Sequence, residues 1–289
     1  NAKVIMNIVA LNSSKSWGGN ERWLTTALNG LNQKGHSVYL IIRNRTNHWN
    51  SLNASIETIE APFTNELSFK TKSIIKNTIK NKSIDILLST KRKDYVLGAQ
   101  IKNKMNIYHI MRLGISRPIL KRDIIQRYII SNMVDGIIVN AQSLKKELLS
   151  YSFIKNNFNP SKICCIYNGY DTPSIKFHNS DKNRQNILIR AAGRLTTHKG
   201  YDILLSSLNL IKNLNVEYKL EIAGDGPLKR ELEATIKRYN LQSQCELVGK
   251  KNDIVNFFSK ADLVVIPSRS EGIPNTLFEA WMSKKPVIT

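Results

Sequence analysis

The chain has 289 residues, 42% of them hydrophobic, and carries 43 Lys and Arg against 22 Asp and Glu, a formal net charge of +21 at pH 7. That length accommodates two domains of ordinary size with a core each, and the composition fits a globular protein. No run approaches the roughly 20 apolar residues of a spanning helix, and the first ten residues lack the layout of a signal peptide, so a cytoplasmic location is expected.

In chain order, Val4 to Leu11 is a first strand. A polar loop, Asn12 to Asn20, follows with Trp17-Gly18-Gly19, then a helix pattern from Glu21 to Lys34 closed by Gly35, and a second strand from Val38 to Ile42. Strand, glycine loop, helix and strand in that order define an open parallel sheet, whose ligands bind at the strand C-termini. The glycines do not follow Gly-x-Gly-x-x-Gly, so a nicotinamide cofactor has no support. Ile56 to Ile59 is a short strand. Leu67 to Lys80 is an amphipathic helix with Lys70, Lys72, Lys76 and Lys80 beside Phe69, Ile74, Ile75 and Ile79. Two readings of it stand together: contact with an anionic membrane surface, or a solvated face over an ordinary core stripe.

Ile84 to Leu88 and Asn106 to Ile110 are further strands around a helix from Asp94 to Asn103. His109 is expected to be packed within the second strand, and Arg112 to lie in the loop after it. A long basic helix spans Arg117 to Asn132, a strand Gly136 to Val139, and another helix ends at Ser150. Lys162 to Tyr167 contains Cys164 and Cys165. With Cys245 they make an odd count without metal-ligand spacing, as expected of buried thiols in a reducing compartment, and the five scattered histidines suggest no zinc site. Asn168-Gly169-Tyr170-Asp171 forms a turn, and the polar stretch 172–185 is an interdomain linker.

The second half opens with a strand, Asn186 to Ala192, and the loop Gly193 to Gly200, in which Arg194 and Lys199 precede a helix from Tyr201 to Asn213. Tyr218 to Ala223 ends in Gly224-Asp225-Gly226-Pro227. Cys245 to Gly249, a helix Asp253 to Lys260 and the apolar run Leu263 to Ile266 follow. Pro274 then suits a first helical turn, where its missing N–H costs nothing. The amides of Asn275, Thr276 and Leu277 make a seat for an anion, with Glu271 before it and Glu279 about a turn beyond. Carboxylates accept well from paired hydroxyls, so a ligand with a phosphate in its middle and a diol at each end matches this stretch.

Glu271 and Glu279, with seven residues between them and set in Glu-Gly-Ile-Pro-Asn, resemble the signature of family 4 retaining glycosyltransferases. The resemblance implies the α/β GT-B fold, two Rossmann-like doubly wound domains facing across a cleft. They would be 1–171 on the acceptor side and 186–289 on the nucleotide-sugar side, the latter incomplete because relatives continue beyond this point. Gly18, Gly19, Glu21 and Arg22 resemble the family's Gly-Gly-x-Glu-Arg loop, which approaches donor phosphates and acceptor. Arg194 and Lys199 match the cations that grip the diphosphate. Gly224 falls in a recurrent Gly-Asp-Gly-Pro, and Val248 and Lys250 fall beside the nucleobase.

By the same resemblance Glu271 binds the sugar, Glu279 binds the ribose, and Arg112 is an anion contact near the place where many relatives carry a histidine. The donor would be a UDP- or GDP-type nucleotide diphosphate sugar, with no cofactor and no metal. The acceptor would be a glycan or a lipid-linked glycan in cell-surface polysaccharide or lipopolysaccharide synthesis. The location would be the cytoplasm, with peripheral contact on the inner face of the cytoplasmic membrane. The rival readings are a nucleotide-sugar epimerase on the same fold, and a nucleic-acid-binding protein motivated by charge alone. No aromatic-rich basic strand or recognition helix supports the latter, so no nucleic acid is expected as a partner.

Overall fold

A computed structural model of the chain describes residues 4–116, 122–169, 186–211, 214, 217–269, 271 and 274–289. The chain divides into two units, Asn1–Gly169 and Tyr170–Thr289. The expected linker, 172–185, lies outside the described residues, as does 117–121 of the long basic helix.

In the first unit seven strands form one parallel sheet: β1 (Asn7–Asn12), β2 (Ser37–Ile42), β3 (Glu57–Glu60), β4 (Ile86–Ser89), β5 (Tyr108–Leu113), β6 (Gly136–Val139) and β7 (Ile163–Cys165). Their order is β3-β2-β1-β4-β5-β6-β7. Continuous apolar runs such as Val9-Ala10-Leu11 are buried because helices cover both faces. These are α1 (Gly19–Gln33), α2 (Phe69–Asn81), α3 (Arg92–Lys102), α4 (Ile124–Met133), α5 (Gln142–Ser150) and α6 (Ser152–Asn157). Val9, Leu11, Ile75 and Leu97 pack on one side of the sheet; Ala10, Leu24, Leu28 and Leu40 pack on the other.

The second unit has five parallel strands: β8 (Ile187–Ala192), β9 (Tyr218–Ala223), β10 (Cys245–Gly249), β11 (Leu263–Val265) and β12 (Val287–Ile288). Their order is β10-β9-β8-β11-β12. Helices α7 (Tyr201–Ile211), α8 (Lys229–Arg238), α9 (Ile254–Ser259) and α10 (Asn275–Met282) connect them. Strand order reverses between β1 and β4 in the first unit and between β8 and β11 in the second. Such reversals open a crevice at the strand C-termini.

Four expectations need correction. α1 starts at Gly19 with Gly18 as its N-cap, so the glycine pair belongs to the helix start and not to an open loop. β5 runs on to Leu113, with Arg112 opposite Ile138 of β6, because Met111 and Leu113 continue the buried alternation; Arg112 is therefore in the strand. Pro274 is the N-cap of α10, one position before the helix. Of the cysteines only Cys245 is buried, its thiol pushed up to about 12 by burial and then by Glu246. Cys164 is exposed on β7, an edge strand.

The second unit depends on backbone approaches that only glycine allows. Gly200 has φ +68°, and a Cβ there would stand 1.8 Å from the Pro267 carbonyl oxygen. Gly200→Ala should therefore cost more than about 2 kcal/mol in urea unfolding. Gly30→Ala, inside α1 with nothing within 4 Å of a new Cβ, should be neutral or stabilise by up to about 1 kcal/mol. Equal effects of the two would contradict this account.

Candidate functional site

At the switch point of the second unit, the loop after β8 meets the loop after β11. Arg269 joins them: its backbone N–H donates to the His198 carbonyl at 2.8 Å and its guanidinium to the Thr197 carbonyl at 2.7 Å. The guanidinium also forks onto both Asp202 oxygens, at 2.7 and 2.5 Å. With the turn Thr197–Lys199 fixed in this way, Lys199 Nζ lies 2.5 Å from Glu271 Oε1, and the two side chains are only 16% and 17% exposed. Tyr201 is buried beside them, its hydroxyl pushed up by burial and then by the charge of Glu271. A Cβ on Gly193 would meet the Tyr201 hydroxyl at 2.9 Å and Lys199 Cε at 3.5 Å. Gly193, Lys199, Tyr201 and Glu271 thus share one place, and Arg194 is exposed on the same loop.

Of the three amides expected to seat an anion, that of Leu277 donates to the Pro274 carbonyl at 3.0 Å and is used within the turn. Asn275 is also engaged. The hydroxyls of Ser268 and Thr276, however, are buried without a hydrogen-bond partner among the described residues. Each such group costs about 1–3 kcal/mol unless something else satisfies it, so hydrogen-bonding capacity is left over between the end of β11 and the start of α10. Glu279 follows within α10 at 4% exposure.

Gly224 stands behind the loop after β8, where a Cβ would come within 1.9 Å of the Gly193 oxygen. Its N–H donates to the Gly249 carbonyl at 2.9 Å, joining the ends of β9 and β10. Val248, in β10, packs at the margin of the Ala192, Ala223 and Val264 cluster, and Lys250 after it is exposed.

The switch point of the first unit holds a second lysine–glutamate pair. Glu21, 3% exposed, accepts from Asn12 Nδ2 at 3.1 Å and lies 2.8 Å from Lys91 Nζ. Burial raises its pKa, but Lys91, Asn12 and Asn20 outweigh burial and hold the carboxyl below its usual range. Lys91 also donates to Ser14 Oγ at 2.8 Å. Asp94, fully buried, accepts from the N–H groups of Ser13 and Lys91, each at 3.1 Å; burial pushes its carboxyl up to about 6. The Arg112 guanidinium lies 4.3 Å from the Trp23 ring centroid and donates to Asn20 Oδ1 at 2.8 Å. His109 is packed in the core, with Nε2 2.7 Å from Ser89 Oγ and Nδ1 2.8 Å from the Met133 carbonyl; burial lowers it to about 4.

Sequence reasoning missed Lys91, Asp94, Tyr201 and Arg269. Asp94 could have been found as an acid three residues past the Lys91 cap of α3. Arg269 gave no signal, since its partner Asp202 lies 67 residues away.

Two parallel sheets, each reversing strand order where a lysine faces a glutamate, place the chain in the GT-B fold class. Anabaena HepE, crystallised with UDP and glucose, superposes at a TM-score of 0.77 over 98% of this chain and 80% of that one, at 19% identity. Residues 173–289 match the family of glycosyl transferases group 1. An uncharacterised glycosyltransferase of Methanocaldococcus jannaschii is 31% identical over 220 residues, 74% of this chain. The amylovoran biosynthesis glycosyltransferase AmsD of Erwinia amylovora is 30% identical over 157 residues, 54% of this chain. The matched regions span 58% and 43% of those two proteins.

Arg269→Lys, which keeps the charge but loses the fork, should speed hydrogen exchange at the Lys199 and Arg269 amides while exchange in α8 stays unchanged. Asp94 and His109 should act oppositely under acid. Asp94, with its folded pKa raised, takes up a proton before the unfolded chain does, so stability rises as pH falls from about 6 towards 4. His109, with its folded pKa lowered, resists a proton that the unfolded chain accepts, so stability falls as pH drops from about 6.5 to 4. Relative to the parent, Asp94→Asn should steepen acid destabilisation over that window and His109→Gln should reduce it, each by up to about 3 kcal/mol in denaturant titrations.

Proposed function

We propose that the chain is the catalytic part of a family 4 retaining glycosyltransferase that moves a sugar from a UDP- or GDP-type nucleotide diphosphate sugar to a glycan or lipid-linked acceptor. The setting is cell-surface polysaccharide or lipopolysaccharide synthesis, in the cytoplasm and peripherally on the inner face of the membrane. The observation that carries this reading is the Lys199–Glu271 pair at the switch point of the second unit. Breaking the bond between sugar and phosphate leaves a diphosphate with growing negative charge, which cations fixed in advance stabilise. A unit charge at ~4 Å contributes roughly 4 kcal/mol at an effective dielectric near 20.

In this reading Arg194, Lys199 and the start of α10 at Asn275 and Thr276 take the diphosphate, Glu279 takes the ribose hydroxyls, and Gly224 and Val248 border the nucleotide. An incoming diphosphate competes with Glu271 for Lys199 and so releases the carboxylate to the sugar hydroxyls. Without ligand, each member of the half-buried pair neutralises the other. Glu271 is then a binding and orienting group, and the acceptor attacks from the face the diphosphate leaves. On the acceptor side, Glu21 and Lys91 hold the chain around Gly18 and Gly19 in place, and Arg112 braces Asn20. No step calls for a cofactor or a metal.

A thermal-shift panel of nucleoside diphosphates and their sugars tests the reading. One base should stabilise the protein, by about 2.7 kcal/mol at a hundredfold excess over Kd. Lys199→Ala should weaken that binding at least about tenfold and slow transfer about 10²–10³-fold. Glu271→Gln should slow transfer with less effect on the free nucleotide. Unimpaired transfer by either variant, or conversion of the donor without an acceptor as an epimerase would perform, would refute the assignment.

A further inference from the structure

In the first unit α2, α3 and α4 lie side by side, with α3 packed between the other two. Arg92, at the start of α3, binds the carboxylates of Glu66, before α2, and Asp123, the N-cap of α4. This clamp brings the amino-terminal ends of α2 and α4 to one edge. Gln100 of α3 reinforces it, donating to the Glu66 carbonyl at 3.1 Å and accepting from Lys72 at 3.1 Å.

The ends so gathered carry apolar side chains facing outward. Phe69 is 84% exposed and Ile124 76%, and Leu67, Ile125 and Tyr128 are exposed as well. The cores of the same helices are already filled, by Thr71, Ile75 and Ile79 on α2 and by Gln126, Ile129 and Ile130 on α4. These outward residues therefore add nothing to the packing of the unit. Cations stand among them: Lys70 and Arg122 are exposed, and Lys72 lies 4.4 Å from the centroid of the Phe69 ring. The neighbouring carboxylates, Glu66 and Asp123, share the Arg92 guanidinium, and Lys70, Lys72 and Arg122 leave the edge with a net positive charge.

We infer that this edge is a membrane-docking surface that inserts Leu67, Phe69, Ile124, Ile125 and Tyr128 into the headgroup region of an anionic bilayer. Single apolar side chains spaced among cations suit a lipid interface, where the rings and aliphatic tips enter the acyl boundary and the ammonium and guanidinium groups stay with the phosphates. A flat protein partner would instead meet charged side chains between each apolar one. The surface lies at the carboxyl edge of the sheet, as do Lys91 and Arg112, so a lipid-borne acceptor would arrive at the edge that carries the polar cluster. The inference rests on the peripheral location proposed above and extends it from α2 to a two-helix surface held by Arg92.

The test is co-sedimentation of the full-length protein with phosphatidylcholine vesicles and with vesicles containing about 30% phosphatidylglycerol. Binding is expected to the anionic vesicles only. It should weaken at least about tenfold, or about 1.4 kcal/mol, in the variant Phe69→Ser, Ile124→Ser, Tyr128→Ser. The same three changes should leave thermal stability and nucleoside diphosphate binding unaltered. Leu210→Ser, an equally exposed apolar site on α7, should have no effect. Absence of vesicle binding would overturn the inference. So would undiminished binding by the triple variant, which would assign the attraction to net charge alone, or a smaller oligomer in that variant by light scattering, which would assign the surface to a second copy. Donor binding without vesicle binding would sink the docking surface alone, whereas vesicle binding without donor binding would sink the enzymatic reading alone.

Discussion

The loop after β8 can lie against the strand end of β11 only because residue 200 has no side chain. With that contact made, the left-handed turn at Gly200 sets the start of α7, and Asp202 comes within reach of Arg269. The fork between those two fixes the turn that carries Lys199. The pairing of Lys199 with Glu271 is thus the end of a chain of short-range backbone constraints, and its own attraction is a minor part of what holds it. Two charges at this degree of burial lose hydration on approach, so a surrounding frame that holds them in place matters more than their mutual pull.

The first unit solves the same problem with different parts. Its Glu21–Lys91 pair also joins the elements that follow the two strands at a reversal of order, the first turn of α1 and the N-cap of α3, and its frame is Asp94, which caps α3 and binds the chain after β1 through Ser13. A parallel sheet leaves its strand C-termini and the following helix N-termini at one edge, where backbone N–H groups point outward and carboxylates are welcome. Carboxylates gathered there need cations to remain ionised without bulk water, and lysines from the neighbouring loops supply them. The low pKa of Glu21 and the raised one of Asp94 show the two outcomes of burial, one with a lysine in direct contact and one held by backbone N–H groups and the Thr90 hydroxyl.

Much of this was legible in the sequence where the signal was local. The strands announced themselves as apolar runs between turn residues, and Tyr218–Ala223 and Cys245–Gly249 have the limits that the pattern gave. Boundaries slipped where a local rule met a tertiary one. Arg112 looks like a loop residue because it is charged, yet it sits in β5 because Trp23 and Asn20 offer it a face and an acceptor. The amide of Leu277 looked open to an anion until the Pro274 carbonyl turned towards it. The cysteines of β7 were expected inside, and only the strand's place at the sheet edge leaves Cys164 in solvent.

The amino-acid sequence alone determined the alternation of strands and helices, the parallel sheets it entails, and which residues stand at strand ends, since these follow from periodicity and from the φ that glycine and proline allow. Which charges meet was decided by the tertiary structure. Lys199 and Glu271 are 72 residues apart, Glu21 and Lys91 are 70 apart, and nothing in a linear pattern measures the distance between two loops. The same holds for the outward-facing ends of α2 and α4, because periodicity reports that a helix has an apolar face without reporting which of its apolar residues the core leaves over.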